Sequence, residues 1–155
     1  MTTRDDLARK LPEVLAPVLG TDAADVTIVN LRALTGGASR TTWAFDAVTG
    51  EGRRSLILRI GPPDDVHAGM ELEARAQAAA AVTGAPVPHI LAADDSPAAL
   101  GNPFLICDEI NGETIVRRIQ RQLDAAGGQA ARAGLLRQCA QALAAIHRAD
   151  PHIPG

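Results

Sequence analysis

The sequence predicts an α+β fold: a five-stranded antiparallel sheet with one packed helix, followed by further helices. Three observations carry this expectation. Short β-branched runs recur between residues 26 and 110, separated by Gly, Pro and Asx turn signals. A stretch rich in Glu, Ala, Gln and Arg interrupts them at Met70 to Thr83. After Asn111-Gly112 the composition becomes helical to the end. With 155 residues, 46% of them hydrophobic, the chain can bury one ordinary core.

Composition narrows the partners. The net charge is -3 and the arginines are scattered among carboxylates, so no basic stripe is present to neutralise a polymer of phosphates. Trp43, Phe45 and Phe104, with no Tyr, leave few platforms on which unpaired bases stack. Nucleic acid is therefore not expected as a partner. Cys107 and Cys139 are too few and too far apart for a disulfide framework or metal cluster, and His67, His89 and His152 have no carboxylate or cysteine at ligand spacing. No metal site is assigned to the chain itself. No secretory signal stands at the amino terminus, and no apolar run reaches the ~20 residues of a membrane span. A cytoplasmic protein with a small ligand is the expectation.

The first helix is read from Leu7, Leu11, Val14, Leu15, Val18 and Leu19, with Asp5 and Asp6 at its positive end and Gly20 to stop it. Pro12 and Pro17 predict a kink or two pieces. Strands follow at Val26 to Leu34, Thr41 to Val48 and Ser55 to Ile60, the last two joined by the hairpin signal Thr49 to Gly52. Pro62-Pro63 ends this meander. The helix Met70 to Thr83 is closed by Gly84, and Pro86-Val87-Pro88 is extended. His89 to Ala93 and Gly101 to Ile110 give the fourth and fifth strands. Ile115 to Leu123 reads as a short helix, and Gln129 to Ala149 as a long one striped by Leu135, Leu136, Cys139, Leu143 and Ile146. Such a stripe needs cover, by the sheet domain, by a missing element, or by self-association through 129–149.

The stretch Leu31 to Arg59 carries the chemistry. Two adjacent glycines, Gly36 and Gly37, let backbone approach a ligand and turn amide N–H groups toward anionic oxygens, and the hydroxyl of Ser39 adds a donor. The same residues also suit an ordinary hairpin turn. On the third strand, Leu56, Leu58 and Ile60 share one face, while Ser55, Ile57 and Arg59 share the other. A guanidinium on that face needs a partner, because an unpaired charge away from water costs several kcal/mol, unless its stem snorkels to solvent.

In order, LTGGASRTTW, LILRIGPP, MELEARA, APVPHILA, GNPFLICDEINGE and LAAIHRAD resemble the amino-terminal half of aminoglycoside phosphotransferase-like kinases, a branch of the protein-kinase-like fold. The resemblance covers roughly residues 5 to 150. It implies an ATP-binding small lobe over 1–110 with a helical lead-in over 1–20. A hinge at Cys107 to Asn111 follows, with linker and first helices of an incomplete helical lobe over 111–155. Arg59 stands where the family usually carries the lysine that holds the α and β phosphates; an arginine there is similar to the branch associated with acyl-CoA dehydrogenases. Glu73 takes the place of the glutamate that pairs with that cation. Its competitor, Glu71, lies about 200° away around the helix, so only one of them faces the sheet.

The hinge implies backbone contacts to a base around Asp108, Glu109 and Ile110, with Leu34 and Ile57 as apolar neighbours. The implied cofactor is ATP, or another nucleoside triphosphate, with Mg. The implied acceptor is a small hydroxylated molecule. The family's His-Gly-Asp loop with its following Asn, and its later Asp motif, are absent from these 155 residues, so no catalytic residue is assigned and the metal ligands lie outside the chain. This chain alone is expected to bind ATP weakly or not at all and not to catalyse. The alternative is a non-catalytic nucleotide-binding or interaction module with the same small-lobe fold.

Overall fold

The structure, a computed structural model, describes residues 3–34, 41–62 and 69–150. Helix α1 (Arg4–Leu19) starts at Thr3, whose Oγ1 accepts the Asp6 N–H at 3.2 Å, and ends at Gly20 in the left-handed conformation. Of the expected kink or two pieces, two pieces are not formed: α1 is one helix through Pro12 and Pro17. Each proline removes one donor from the helical ladder. Burial of Leu7, Leu11 and Leu15 with no exposure at all outweighs that loss, since each large apolar side chain taken fully from water stabilises by about 1.5–3 kcal/mol.

Five antiparallel strands form one sheet in the order β1-β2-β3-β5-β4. They are β1 (Thr27–Leu34), β2 (Thr41–Thr49), β3 (Gly52–Ile60), β4 (Ile90–Asp94) and β5 (Phe104–Asp108). The first three form the meander read from the sequence, and β5 inserts beside β3 so that β4 lies at the edge. Helix α2 (Met70–Val82) follows β3. The α+β class and the antiparallel sheet with its helix are therefore as expected.

The pleat of β3 divides the core. Leu56 and Leu58 join Phe45, Ile106 and the α1 leucines in the larger cluster. Ile57, on the opposite side, packs with Met70 of α2 and with Leu105 and Cys107 of β5. The alternation of β3 thus gives one face to α1 and the other to the start of α2.

Two compact units are distinguished. The first comprises residues 1–78 and 88–109, the second 79–87 and 110–154. Within the second, α3 (Val116–Ala125) and α4 (Gln129–His147) form a helical pair in which Arg132 of α4 bonds Asp124 and, at 3.2 Å, Gln120 of α3. Thr83 ties the end of α2 to α4 through its Oγ1, which donates to Ala145 O at 2.7 Å beside a small cluster of Ala80, Ala85 and Ala145. No helix among the described residues is long and apolar enough to cross a membrane.

A polar knot pins the β1–β2–β3 end of the sheet. Asn30 takes φ 56° at the irregularity between Val29 and Arg32, a conformation that asparagine tolerates better than most residues. From there its Nδ2 donates to Asp46 Oδ2 at 2.7 Å, and Ser55 Oγ donates to Asp46 Oδ1 at 2.7 Å. The Ser55 bond first, and the Asn30 bond next, hold the Asp46 carboxyl below the ordinary value of 3.8. A depressed folded-state pKa contributes stability that is present above the unfolded value and lost as pH falls through the folded one. Asp46→Asn is expected to lower stability at pH 7 and to flatten its decline below about pH 4, read by urea unfolding across pH. An unchanged acid slope would remove Asp46 as its source.

Candidate functional site

Cross-strand register assembles the site. Leu34 of β1 stands opposite Thr42, Thr42 opposite Arg59, and Arg59 opposite Leu105. One pleat away, Arg32, Ala44, Ile57 and Cys107 form the neighbouring row. Directly opposed residues share a sheet face, so Leu34, Ile57 and Arg59 project on the α2 side. Leu34 is exposed, Ile57 partly covered, and Ala44 and Leu105 fully buried between them. This face combines an apolar floor with two arginines, Arg59 beside Glu73 and Arg32 toward Glu109.

Arg59 is paired. Its Nη1 donates to Glu73 Oε1, and Gln77 Nε2 lies 3.4 Å from the same oxygen. Of the two glutamates on the first turn of α2, Glu73 meets the β3 arginine, while Glu71 engages the Asp95 main chain instead. The 200° between them decides this, because α2 lays only one side of its first turn against the sheet. The guanidinium is a fork of five N–H donors, so pairing with one carboxylate oxygen leaves donors for a second anion. Glu73 fixes where that fork stands.

Cys107 lies on the same face. Burial pushes its thiol up, against the opposing pull of Arg59, so it remains an uncharged apolar neighbour rather than a nucleophile.

The segment after β5 is held by two arginines that sequence reasoning passed over. Arg54 grips Asp108 with both nitrogens, Nε to Oδ1 at 2.7 Å and Nη2 to Oδ2 at 3.0 Å. That bidentate bond holds the Asp108 carboxyl below the usual carboxylate range and raises the arginine in turn. His89 Nδ1 sits 3.2 Å from Arg54 Nη2, and Arg32 Nη2 donates to Glu109 Oε1 at 3.3 Å. The main chain is committed too, since Asp108 N–H donates to His89 O at 3.0 Å and Glu109 N–H to Ser55 O at 2.9 Å. Of the three hinge residues read from the sequence, Asp108 and Glu109 are thus fixed against the sheet. Ile110 begins the second unit and is 68% exposed. Gly36, Gly37 and Ser39 lie outside the described residues. Among the described residues no group of three or more His, Cys, Asp or Glu is placed to hold a metal ion.

The Arg59–Glu73 pair is partly open, with the two side chains 31% and 21% exposed. Ion pairs in such surroundings stabilise little. Glu73→Gln is expected to cost about 1 kcal/mol or less in chemical denaturation. A loss of about 3 kcal/mol or more would instead mark a fully desolvated pair.

Comparison with known proteins bears on this geometry. The sequence pattern of the phosphotransferase enzyme family (APH) matches residues 30–154. No curated protein matches the chain. A crystal structure from Ralstonia eutropha JMP134, carrying a provisional assignment as an aminoglycoside phosphotransferase, is similar with a TM-score of 0.48 and 20% identity. The alignment covers 74% of this chain but 30% of that one, so the chain spans under a third of that neighbour's length. The family match runs from β1 through α4 and takes in Leu34, Ile57, Arg59, Glu73 and the post-β5 segment, and on that ground the chain belongs to the phosphotransferase enzyme family.

Proposed function

We propose that residues 1–110 form the nucleotide-binding portion of an ATP-dependent phosphotransferase whose acceptor is a small hydroxylated molecule. The observation that carries the reading is the Arg59–Glu73 pair, which shares one sheet face with the apolar Leu34 of its own row and Ile57 of the next. A nucleoside triphosphate asks for both: a planar cation for the phosphates and an apolar surface for the base. Gly36, Gly37 and Ser39 are assigned to the phosphates by the resemblance of their motif. Asp108, Glu109 and Ile110 are assigned to the edge of the base through their main chain. Because Asp108 and Glu109 N–H groups are used within the sheet, carbonyls are what those two residues offer.

Arginine in place of lysine changes the hold. Arginine binds two oxygens side by side, but its longer side chain sets the phosphate farther from the strand. This substitution favours a second reading, in which the lobe binds nucleotide without chemistry. Magnesium is assigned to groups outside this chain. The groups that orient an acceptor hydroxyl are likewise not among the residues assigned here.

The test is a titration of residues 1–155 with ATP followed by NMR, which detects weak complexes. Binding with a dissociation constant of about 1 mM, roughly -4 kcal/mol, is expected, with shifts at Leu34, Ile57 and Arg59 that disappear in Arg59→Ala. No ATP turnover by this chain is expected. Shifts that are absent, or that survive in Arg59→Ala, would overturn the phosphate assignment. Turnover by the isolated chain would contradict the placement of the catalytic groups elsewhere.

Self-association is proposed for α4. Leu135, Leu136, Leu143 and Ile146 are 40%, 72%, 53% and 45% exposed. At about 100° per residue they fall within an arc of roughly 100° on one side of the helix. Light scattering is expected to give a mass above the monomer that Leu136→Glu and Leu143→Glu each reduce to it. A monomeric parent protein would exclude this use of the stripe.

A further inference from the structure

Glu73 can hold Arg59 only if the first turn of α2 is fixed, and among the described residues that turn has no side-chain cap from its own chain segment. The residue in the capping position is Gly69, whose carbonyl accepts the Glu73 N–H at 3.1 Å and opens the helical ladder. A capping residue normally lends a side-chain oxygen to the N–H two or three positions on, and glycine has none. The missing oxygen comes from 24 residues downstream: Asp95 Oδ1 accepts the Glu71 N–H at 3.2 Å. The exchange is reciprocal, since the Asp95 N–H lies 3.4 Å from Glu71 Oε1. The reciprocal pair is similar to a capping box, here made at the second helical residue and between the end of β4 and the start of α2 rather than within one helix.

Two further observations show that the arrangement is specific. A Cβ placed on Gly69 would overlap the Asp95 carboxylate, so the glycine is what admits the foreign cap. The loop carrying Asp95 is itself fixed by successive local bonds. Ser96 N–H donates to Asp94 Oδ1 at 2.7 Å, Ala98 N–H to Ser96 Oγ at 3.1 Å, and Gly101 N–H to Pro97 O at 2.7 Å. Asp95 is therefore presented from a structured turn, although its side chain is in an exposed setting.

We propose that Asp95 is a positioning residue for the Arg59–Glu73 pair, which it acts on by capping the first turn of α2 in exchange with Glu71. The edge strand is thereby coupled to the candidate phosphate site. Displacing the loop 94–98, through anything that binds edge strand β4, would loosen Glu73 and with it the guanidinium fork. The consequence for ligand binding rests on the nucleotide reading above; the consequence for Arg59 does not.

Two measurements separate these. In the unliganded chain, the Arg59 Nε–Hε resonance reports whether the guanidinium is paired, and Glu73→Gln supplies its unpaired position. Asp95→Ala is expected to move that resonance toward the Glu73→Gln position, while Asp95→Asn, which keeps the Oδ1 acceptor, restores it. Gly69→Ala approaches the same contact from the other side and is expected to act like Asp95→Ala. In ATP titrations Asp95→Ala is expected to weaken binding by about fivefold, the worth of a typical helix cap in an equilibrium constant, and Asp95→Asn much less.

An Arg59 resonance unchanged in Asp95→Ala would overturn the positioning role. Should Asp95→Ala not fold, Gly69→Ala and Asp95→Asn decide the matter by the same resonance. A shifted resonance with ATP affinity unchanged, in Arg59→Ala as well, would leave the positioning role standing and remove the phosphate reading.

Discussion

Alternation along β3 is the constraint on which the first unit depends. The strand lies between β2 and β5, so each of its residues must serve one face of the sheet or the other. Leu56 and Leu58 are given wholly to the cluster beneath α1. Ile57 and Arg59 are thereby turned toward α2, where Met70, Leu105 and Cys107 cover the first and Glu73 meets the second. A slip of one residue would bury Arg59 among the α1 leucines, at a cost of several kcal/mol for an unpaired charge, and expose Leu58. The hydrophobic core thus sets the direction of Arg59. Core packing and site geometry are here the same decision.

The site's electrostatics follow a different logic from its packing. Three arginines, Arg32, Arg54 and Arg59, each find a carboxylate brought by another element: Glu109, Asp108 and Glu73. None of these pairs is deeply buried, so their worth to stability is modest, and their value is directional. They fix the start of α2 and the end of β5 with Glu109 against the sheet. The phosphotransferase enzyme family match, over residues 30–154, takes in all six of these residues.

Much of this was legible in the sequence, for reasons that are local. The period of two in SLILRI assigned Arg59 its face, and helical geometry separated Glu73 from Glu71 without any coordinates. The Thr49 to Gly52 turn named the β2–β3 hairpin, and the stripe Leu135 to Ile146 marked α4. What escaped depends on distance along the chain. Arg54 and Asp108 are 54 residues apart, Arg32 and Glu109 are 77 apart, and the Asp95 cap is 24 residues from the helix it caps. Only strand order brings these together, and β5 inserting inside β4 is not written in any local pattern. The prolines of α1 do not split it in two because a local propensity was outweighed by burial of three leucines. The glycine turn at Gly36 and Gly37, the first feature to suggest phosphate, lies outside the described residues, so the case stands on Arg59 and its neighbours.

The central claim is that Arg59, aimed by β3 and held by Glu73, receives the phosphates of a nucleotide. A crystal structure of the chain grown with a non-hydrolysable ATP analogue tests it most directly. Phosphate oxygens within hydrogen-bond distance of the Arg59 guanidinium, with Glu73 still at its side and the base against Leu34 and Ile57, are the predicted result. An analogue bound elsewhere, with Arg59 touching only Glu73, would contradict it.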